Sequence, residues 1–390
     1  MAHAIRAMLL AAKGDVRADA AADRALAIDP KSWMALYAKG MQAFQTRRMT
    51  EAETYFSKSI EIEPKFFRSL GGRGAGRLMQ GNYAGALVDF DAALAIEPAS
   101  PPLLAGRASA LMALGRIDEG MVATEQALVK NPLDFDLRHV RALGRSATGK
   151  SAEARTDYDA LIAEKPTVGL LLERASLSPG TASAASDIEA AVKLDPRSVR
   201  ALMTRADGAI EAGATDAGAN QRAEADLAAV GRIDPGNRGV AGMRMRLLAK
   251  QGKGGEAIKL GQAIVVKYHD AMAYNELCWS KATLNLAIDT ALADCDKGLS
   301  LSPDALAILD SRAFVKLRTG AIDEAIADYD AVLKKAPTMA ASLFGRAVAR
   351  AKKGNVAGAK ADLAEARRIA PEIEARFAGY GVTVPAGVGR

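Results

Sequence analysis

The 390 residues predict an all-α chain: a solenoid of about eleven helix–turn–helix units closed by a C-terminal capping helix. Three observations carry this. Pro30, Pro64, Pro98, Pro132 and Pro166 stand 34 residues apart, and Pro303, Pro337 and Pro371 return to the same interval. Twelve residues before each terminator the side chain is small, as in Ala18, Ala52, Ala86, Gly120, Ala325 and Ala359. Between these marks run paired segments of about a dozen residues whose apolar positions recur near every 3.6 residues, the period of a helix with one buried stripe.

Each element follows from that clock. A large side chain recurs eight residues before the terminator (Phe56, Phe90, Tyr158, Tyr329), and a small one twenty-four before it (Gly40, Gly74, Ala108, Ala142, Ala313, Ala347). Small residues let two helices approach, and the large one fills the space beside them. Gly81, Gly115, Gly149, Gly320 and Gly354 mark the turn inside a hairpin. Proline ends the hairpin, because it cannot continue a helix. One hairpin cannot bury its own apolar faces, so successive hairpins must stack. Regular repeats are expected over 1–166 and 236–371. Between them, 167–235 holds one repeat four residues short and one five residues long, with a shortened helix in 168–177 and an extended turn near Gly213–Asn220. Residues 372–381 read as a capping helix with Phe377 inward, and 382–390 as a loose tail. The first helix begins almost at Met1: either it starts abruptly or the chain is cut from a longer protein.

These residues resemble the tetratricopeptide repeat family, through Gly40…Ala52-x₃-Phe56…Pro64, Gly74…Ala86-x₃-Phe90…Pro98 and Ala313…Ala325-x₃-Tyr329…Pro337. The resemblance spans residues 1–371. It implies a right-handed superhelix whose first helices line a concave groove.

Composition narrows the function. Hydrophobic residues make up 49%, enough for a core, and no apolar run is long enough to span a membrane. Two cysteines, Cys278 and Cys295, exclude a disulfide-stapled secreted scaffold. They read as buried thiols, since a redox pair would want C-x-x-C spacing. The three histidines lie in different repeats and suggest no metal site.

Charge is periodic too. A basic residue recurs 25 before the terminator (Lys39, Arg73, Arg107, Arg141, Arg244, Arg312, Arg346), and aspartates nine and seven before it, as in Asp89/Asp91, Asp157/Asp159 and Asp328/Asp330. Structural staples between helices are the plain reading; a charged ligand track is the functional one. The net charge of +6 comes from the second half of the chain. Residues 232–267 carry eight basic side chains (Arg232, Arg238, Arg244, Arg246, Lys250, Lys253, Lys259, Lys267) against Asp234 and Glu256. That is a candidate dock for an acidic partner. Nucleic acid is not expected, because no aromatics interleave there to stack bases.

Gly144-Arg-Ser-Ala-Thr-Gly149-Lys150-Ser151 matches a phosphate-loop pattern, which needs a buried strand before it. The preceding residues read as helix, and Gly149 falls on the hairpin-turn position. Gly71–Gly76 lies on a first helix and reads as close packing.

The groove register projects onto Tyr37, Met41, Phe44, Gln45, His139, Arg246, Glu276, Asp310, Phe314 and Phe344, with Met79 and Met112 beside them. Such a surface suits an extended or helical segment of variable sequence. The leading expectation is a non-catalytic scaffold that binds a protein or peptide, with no cofactor and no metal. The C-terminal third also resembles bacterial envelope proteins with a transglutaminase-like N-terminal region, on Asn275-Glu-Leu-Cys-Trp-Ser-Lys-Ala-Thr283, Ala-Asp-Cys-Asp296, Asp310-Ser-Arg312 and Phe377-Ala-Gly-Tyr-Gly381. It implies an accessory module of a larger protein whose catalytic domain lies outside this chain. A third reading is an NTPase using Lys150. The expected compartment is the cytoplasm, or the periplasm if the chain is a piece of an envelope protein.

Overall fold

The structure is a computed structural model and describes residues 1–212 and 217–388. Among these it holds twenty-three helices and no strand. The chain divides into two compact units, Met1–Ala191 and Val192–Arg390.

The N-terminal unit holds α1 (Ala2–Ala12), α2 (Arg17–Ile28), α3 (Trp33–Gln45), α4 (Met49–Ile62), α5 (Phe67–Met79), α6 (Tyr83–Ile96), α7 (Pro101–Ala113), α8 (Ile117–Lys130), α9 (Phe135–Ala147), α10 (Ser151–Glu164) and α11 (Val168–Ser176). The boundary falls inside α12 (Ala182–Leu194). The C-terminal unit continues with α13 (Val199–Ala212), α14 (Ala217–Ile233), α15 (Gly239–Lys250), α16 (Gly254–Tyr268), α17 (Ala271–Leu284) and α18 (Ile288–Leu301). It ends with α19 (Leu306–Thr319), α20 (Ile322–Lys335), α21 (Ala340–Lys352), α22 (Val356–Ile369) and α23 (Ile373–Gly379). Odd-numbered helices are the first of each hairpin. Within each unit a first helix packs on its own second helix and on the next first helix, as α3 does on α4 and α5 and α19 on α20 and α21.

The packing rule is size alternation. The alanines twelve residues before the terminators, from Ala18 to Ala359, are at most 3% exposed. Phe56 lies between two first helices: a Cβ added to Gly40 or to Gly72 would come within 2.7 Å of its ring. Phe90 sits the same way between Gly74 and Gly106. Glycine in mid-helix costs stability, and here close packing around a large ring offsets that cost. Within the hairpins the turn glycines Gly81, Gly115, Gly149, Gly320 and Gly354 have φ between 76° and 88°.

The irregular repeats differ in helix length. In the short one α11 has nine residues against thirteen in α9. In the long one α14 has seventeen against fourteen in α10. The extended turn expected near Gly213–Asn220 falls partly on residues 213–216, outside the described residues; Ala217–Asn220 belong to α14 rather than to a turn. The loose tail is corrected as well. Val382 and Val384 pack against the core cluster and Val388 is 4% exposed within it; residues 389–390 lie outside the described residues.

Candidate functional site

The charge ladder resolves into staples. Inside a hairpin the first-helix arginine grips an aspartate sixteen residues on through two hydrogen bonds. Arg73 reaches Asp89 at 3.0 and 2.7 Å, Arg141 reaches Asp157 at 3.1 and 2.7 Å, and Arg312 reaches Asp328 at 2.8 Å twice. A second base one turn along completes the clasp: Arg77, Arg145 and Lys316 lie 2.9, 2.7 and 2.8 Å from the same carboxylates. The staple survives both irregular repeats, as Arg174–Asp187 and Arg205–Asp226. Burial works to raise Asp328, but hydrogen bonds from Arg312 and Lys316 outweigh it, so the carboxyl titrates below its usual range. The aspartates seven before the terminator tie neighbouring repeats, as in Arg107–Asp91 at 2.5 Å and Arg346–Asp330 at 2.6 Å. These pairs are internal, so they do not form a ligand track.

The ten residues of the expected groove separate into two sets. Tyr37 is 7% exposed, its ring against Phe56 and Phe66 at 5.9 and 5.1 Å. Asp310, Phe314 and Phe344 are 7%, 1% and 0% exposed. These four are interior, which corrects the expectation that they face a partner. Phe66 covers Tyr37; Phe377 covers Phe314 and Phe344, with ring centroids 5.6 and 4.6 Å away. Asp310 accepts a hydrogen bond from Ser342 on α21, and burial pushes its carboxyl up to about 6.

The other six reach the surface at least in part. Met41 and Phe44 are half-buried beside the Phe56 cluster. Gln45 is exposed and donates through Nε2 to the Ala11 carbonyl, one repeat back, at 3.2 Å. His139 Nε2 lies 2.6 Å from Glu173, 34 residues on. Arg246 is exposed and pairs with Asp207 and Glu211 on α13 at 2.9 and 2.6 Å. Glu276 is half-buried; burial raises its carboxyl, and Asp270 adds to the rise. First-helix side chains one repeat apart therefore stand next to each other, so each face continues from repeat to repeat.

Trp279 lies outside the groove register counted back from the terminators. Every helix α17 residue sits one position earlier than its counterpart in α19. One residue separates the start of α17 from position 269, where two separate α19 from Pro303; the following loop, 285–287, has three residues where 320–321 has two. His269 turns the chain tightly with φ 51° where other repeats carry proline. The slip puts Trp279 beside Phe314, with centroids 5.3 Å apart. The trace in the sequence is Lys281, which meets Asp294 thirteen residues on where Lys316 meets Asp328 at twelve.

The same slip explains the cysteines. Cys295 occupies the position of Phe56, Phe90 and Tyr329, and Cys278 the facing small position. Both are 0% exposed, with Cα atoms 5.5 Å apart, and they form a disulfide. This corrects the reading as buried thiols: the cross-link takes the place of the large side chain.

The phosphate-loop match spans the C-terminus of α9. The N–H groups of Thr148, Gly149 and Lys150, which would wrap a phosphate, already donate to the carbonyls of Gly144, Ser146 and Arg145. A Cβ at Gly144 would strike Met121 and Met112, so that glycine serves helix packing. Within 232–267, Arg238, Arg244, Arg246 and Lys250 pair with Asp270, Glu224, Asp207 and Glu211. Arg238 and Lys267 also lie over the Tyr268 ring at 4.6 and 4.9 Å. Half the basic stretch is thereby committed within the chain.

Repeated hairpins with this packing define an all-α helical-repeat solenoid. Tetratricopeptide repeat family models match residues 4–65, 77–143 and 313–372, so the chain carries tetratricopeptide repeats in both of its units. Yeast Tom70 is a structural match at TM-score 0.55 and 16% identity, covering 96% of this chain and 94% of that one. A tetratricopeptide repeat protein from Parabacteroides merdae matches at TM-score 0.43 and 17% identity, covering 69% of this chain and 92% of that one. At such identities the likeness to Tom70 speaks for the fold. No curated protein matches the chain in sequence.

Proposed function

We propose that this chain is a non-catalytic scaffold that holds a protein or peptide segment on the face of its first helices. The observation that carries the reading is the continuity of that face, seen where His139 on α9 meets Glu173 on α11 and Gln45 on α3 reaches Ala11 on α1. Met41, Phe44, Gln45 and His139 would line it in the N-terminal unit, Arg246 and Glu276 in the C-terminal unit. Met79, 46% exposed on α5 one repeat on from Gln45, adds to the apolar part. An acidic partner would find the uncommitted bases of 232–267. No described helix is long and apolar enough to cross a membrane.

The test is affinity capture with wild type against Phe44→Ala/Met79→Asp, two side chains that reach the surface. A bound protein lost from the variant, with its melting unchanged, supports the face; a protein held equally by both refutes it.

The second reading, an accessory module of a larger envelope protein, is favoured by the Cys278–Cys295 disulfide, because such bonds persist in oxidising compartments. Alkylation of the native chain before and after reduction, in cell fractions, tests it: two reactive thiols in unreduced protein would remove its support.

A further inference from the structure

A capping helix needs to cover only the last hairpin. Here the chain goes further. Helix α23 packs on α21 and α22 with Ile373 and Phe377 buried. Gly381 then turns the chain at φ 74°, a backbone angle that side chains rarely adopt. Tyr380 ends up edge-on to Trp279 at 5.8 Å and to Phe314 at 6.3 Å. Trp279 belongs to α17, two first helices before α21. Arg318 on α19 donates to the Tyr380 carbonyl. Beyond it the side chains alternate: Val382 and Val384 face the core, Thr383 is exposed, and Val388 is buried.

That is the arrangement of a ligand on a helical face: two aromatic anchors at the end of a helix, then an extended stretch with alternate side chains inward. Sequence supplies the anchors three residues apart, as Phe377 and Tyr380, and β-branched residues at the alternate positions after them. The segment's described backbone-to-backbone hydrogen bonds are local, as Val382 N–H to Phe377 at 3.0 Å and Val388 N–H to Pro385 at 3.3 Å. Side chains therefore supply most of the hold. Release of the segment frays only the last turn of α23, where Phe377 sits, and leaves the other helices wound.

We propose that the face formed by α17, α19 and α21 is a binding site for a protein segment of the pattern aromatic-x-x-aromatic-x-Val-x-Val, and that residues 377–388 occupy it as a tethered competitor. This rests on the scaffold reading above and names the partner's chemistry at the C-terminal unit. Tethering gives the chain's own segment an effective concentration in the millimolar range, so a partner must outcompete it or wait for its release. It also explains why Asp310, Phe314 and Phe344 are interior although their register is that of the groove.

The probe is a fluorescein-labelled peptide with the sequence of residues 376–388, RFAGYGVTVPAGV, titrated by anisotropy into full-length protein. Wild type should bind it weakly. Full-length Tyr380→Ala/Val384→Asp, in which the tethered copy is weakened, should bind it roughly tenfold more tightly or better. Trp279→Ala added to that variant should abolish the gain. Equal binding by wild type and the double variant, or no binding by either, overturns the proposal, provided the variant melts cooperatively. Should the double variant fail to fold, full-length Val382→Ala takes the same titration; it removes one contact of the tethered segment and leaves the face of α17, α19 and α21 intact. No gain there also overturns the proposal. Neither failure touches the scaffold reading, which is read separately through Phe44 and Met79.

Discussion

Arg346 on α21 clasps Asp362 on α22 through two hydrogen bonds of 2.8 and 2.7 Å, and Arg350, one turn on, adds a third at 2.8 Å. The carboxylate is 5% exposed. A lone buried carboxylate would be costly; two guanidinium partners make it a structural joint between the helices of one hairpin. Asp362→Ala removes the buried carboxylate and leaves both arginines only the exposed Asp330, and should cost about 2–3 kcal/mol. Asp91→Ala removes an exposed pair with Arg107 and should cost less than about 1 kcal/mol. Urea midpoints separate the two; equal losses would show that burial does not set the worth of these pairs.

The repeat period, the hairpin turns and the staples were legible because they recur: an error at one position is corrected by ten others. What recurs only once was not. The slip in α17 changes no spacing between terminators, so counting back from Pro303 named Glu276 and passed over Trp279. The disulfide was hidden by the same slip, since Cys278 and Cys295 face each other only after α17 moves by one residue. Phe314 and Phe344 were placed in the right register, but what covers them comes from Phe377 and Tyr380, outside the repeat period altogether. Tyr37 illustrates another limit: a stripe at positions 37, 41 and 44 marks one helical face, and periodicity alone does not separate a face against Phe66 from one open to solvent.

Stability should fall with pH through the Asp310 range. The carboxyl is raised by burial, against the lowering pull of Ser342 and Arg376, to about 6. A carboxyl raised in the folded state favours the protonated form on folding. Its penalty is absent below the unfolded value near 4, and grows as pH rises through 6. Asp310→Asn keeps an acceptor for Ser342 and removes the penalty. It should stabilise the C-terminal unit at pH 7.5, by roughly 3 kcal/mol at most, and change little at pH 3.5. Thermal melts at the two pH values check this; a variant no more stable at pH 7.5 than wild type would show that Asp310 is ionised without penalty.

Reduction should weaken the C-terminal unit. The Cys278–Cys295 bond closes a loop with a sequence separation of 17, and Cys295 stands where Phe56, Phe90 and Tyr329 stand in their hairpins. Loop-closure entropy for such a span is about 3 kcal/mol. Cys278→Ala/Cys295→Ala should lower the melting temperature and lose all response to dithiothreitol. A wild type whose melting is unchanged by dithiothreitol, with reduction verified by mass, would mean that packing alone holds α17 on α18.

One turn can be improved. Arg47 sits at the hairpin-turn position with φ 62°, where Gly81, Gly115 and Gly149 have φ of 79°, 79° and 76°. A side chain in the left-handed region costs about 1–2 kcal/mol, while glycine adds back part of that as entropy of the unfolded chain. Arg47→Gly should therefore stabilise the N-terminal unit by about 0.5–1 kcal/mol. Gly81→Ala, the reverse change one repeat on, should destabilise it by a similar amount or more. Paired thermal melts decide the matter: the two substitutions must move the midpoint in opposite directions. If Arg47→Gly lowers it, the Arg47 side chain, whose guanidinium lies 3.9 Å from the Met79 sulfur, contributes more to the α3–α5 packing than its backbone angle costs.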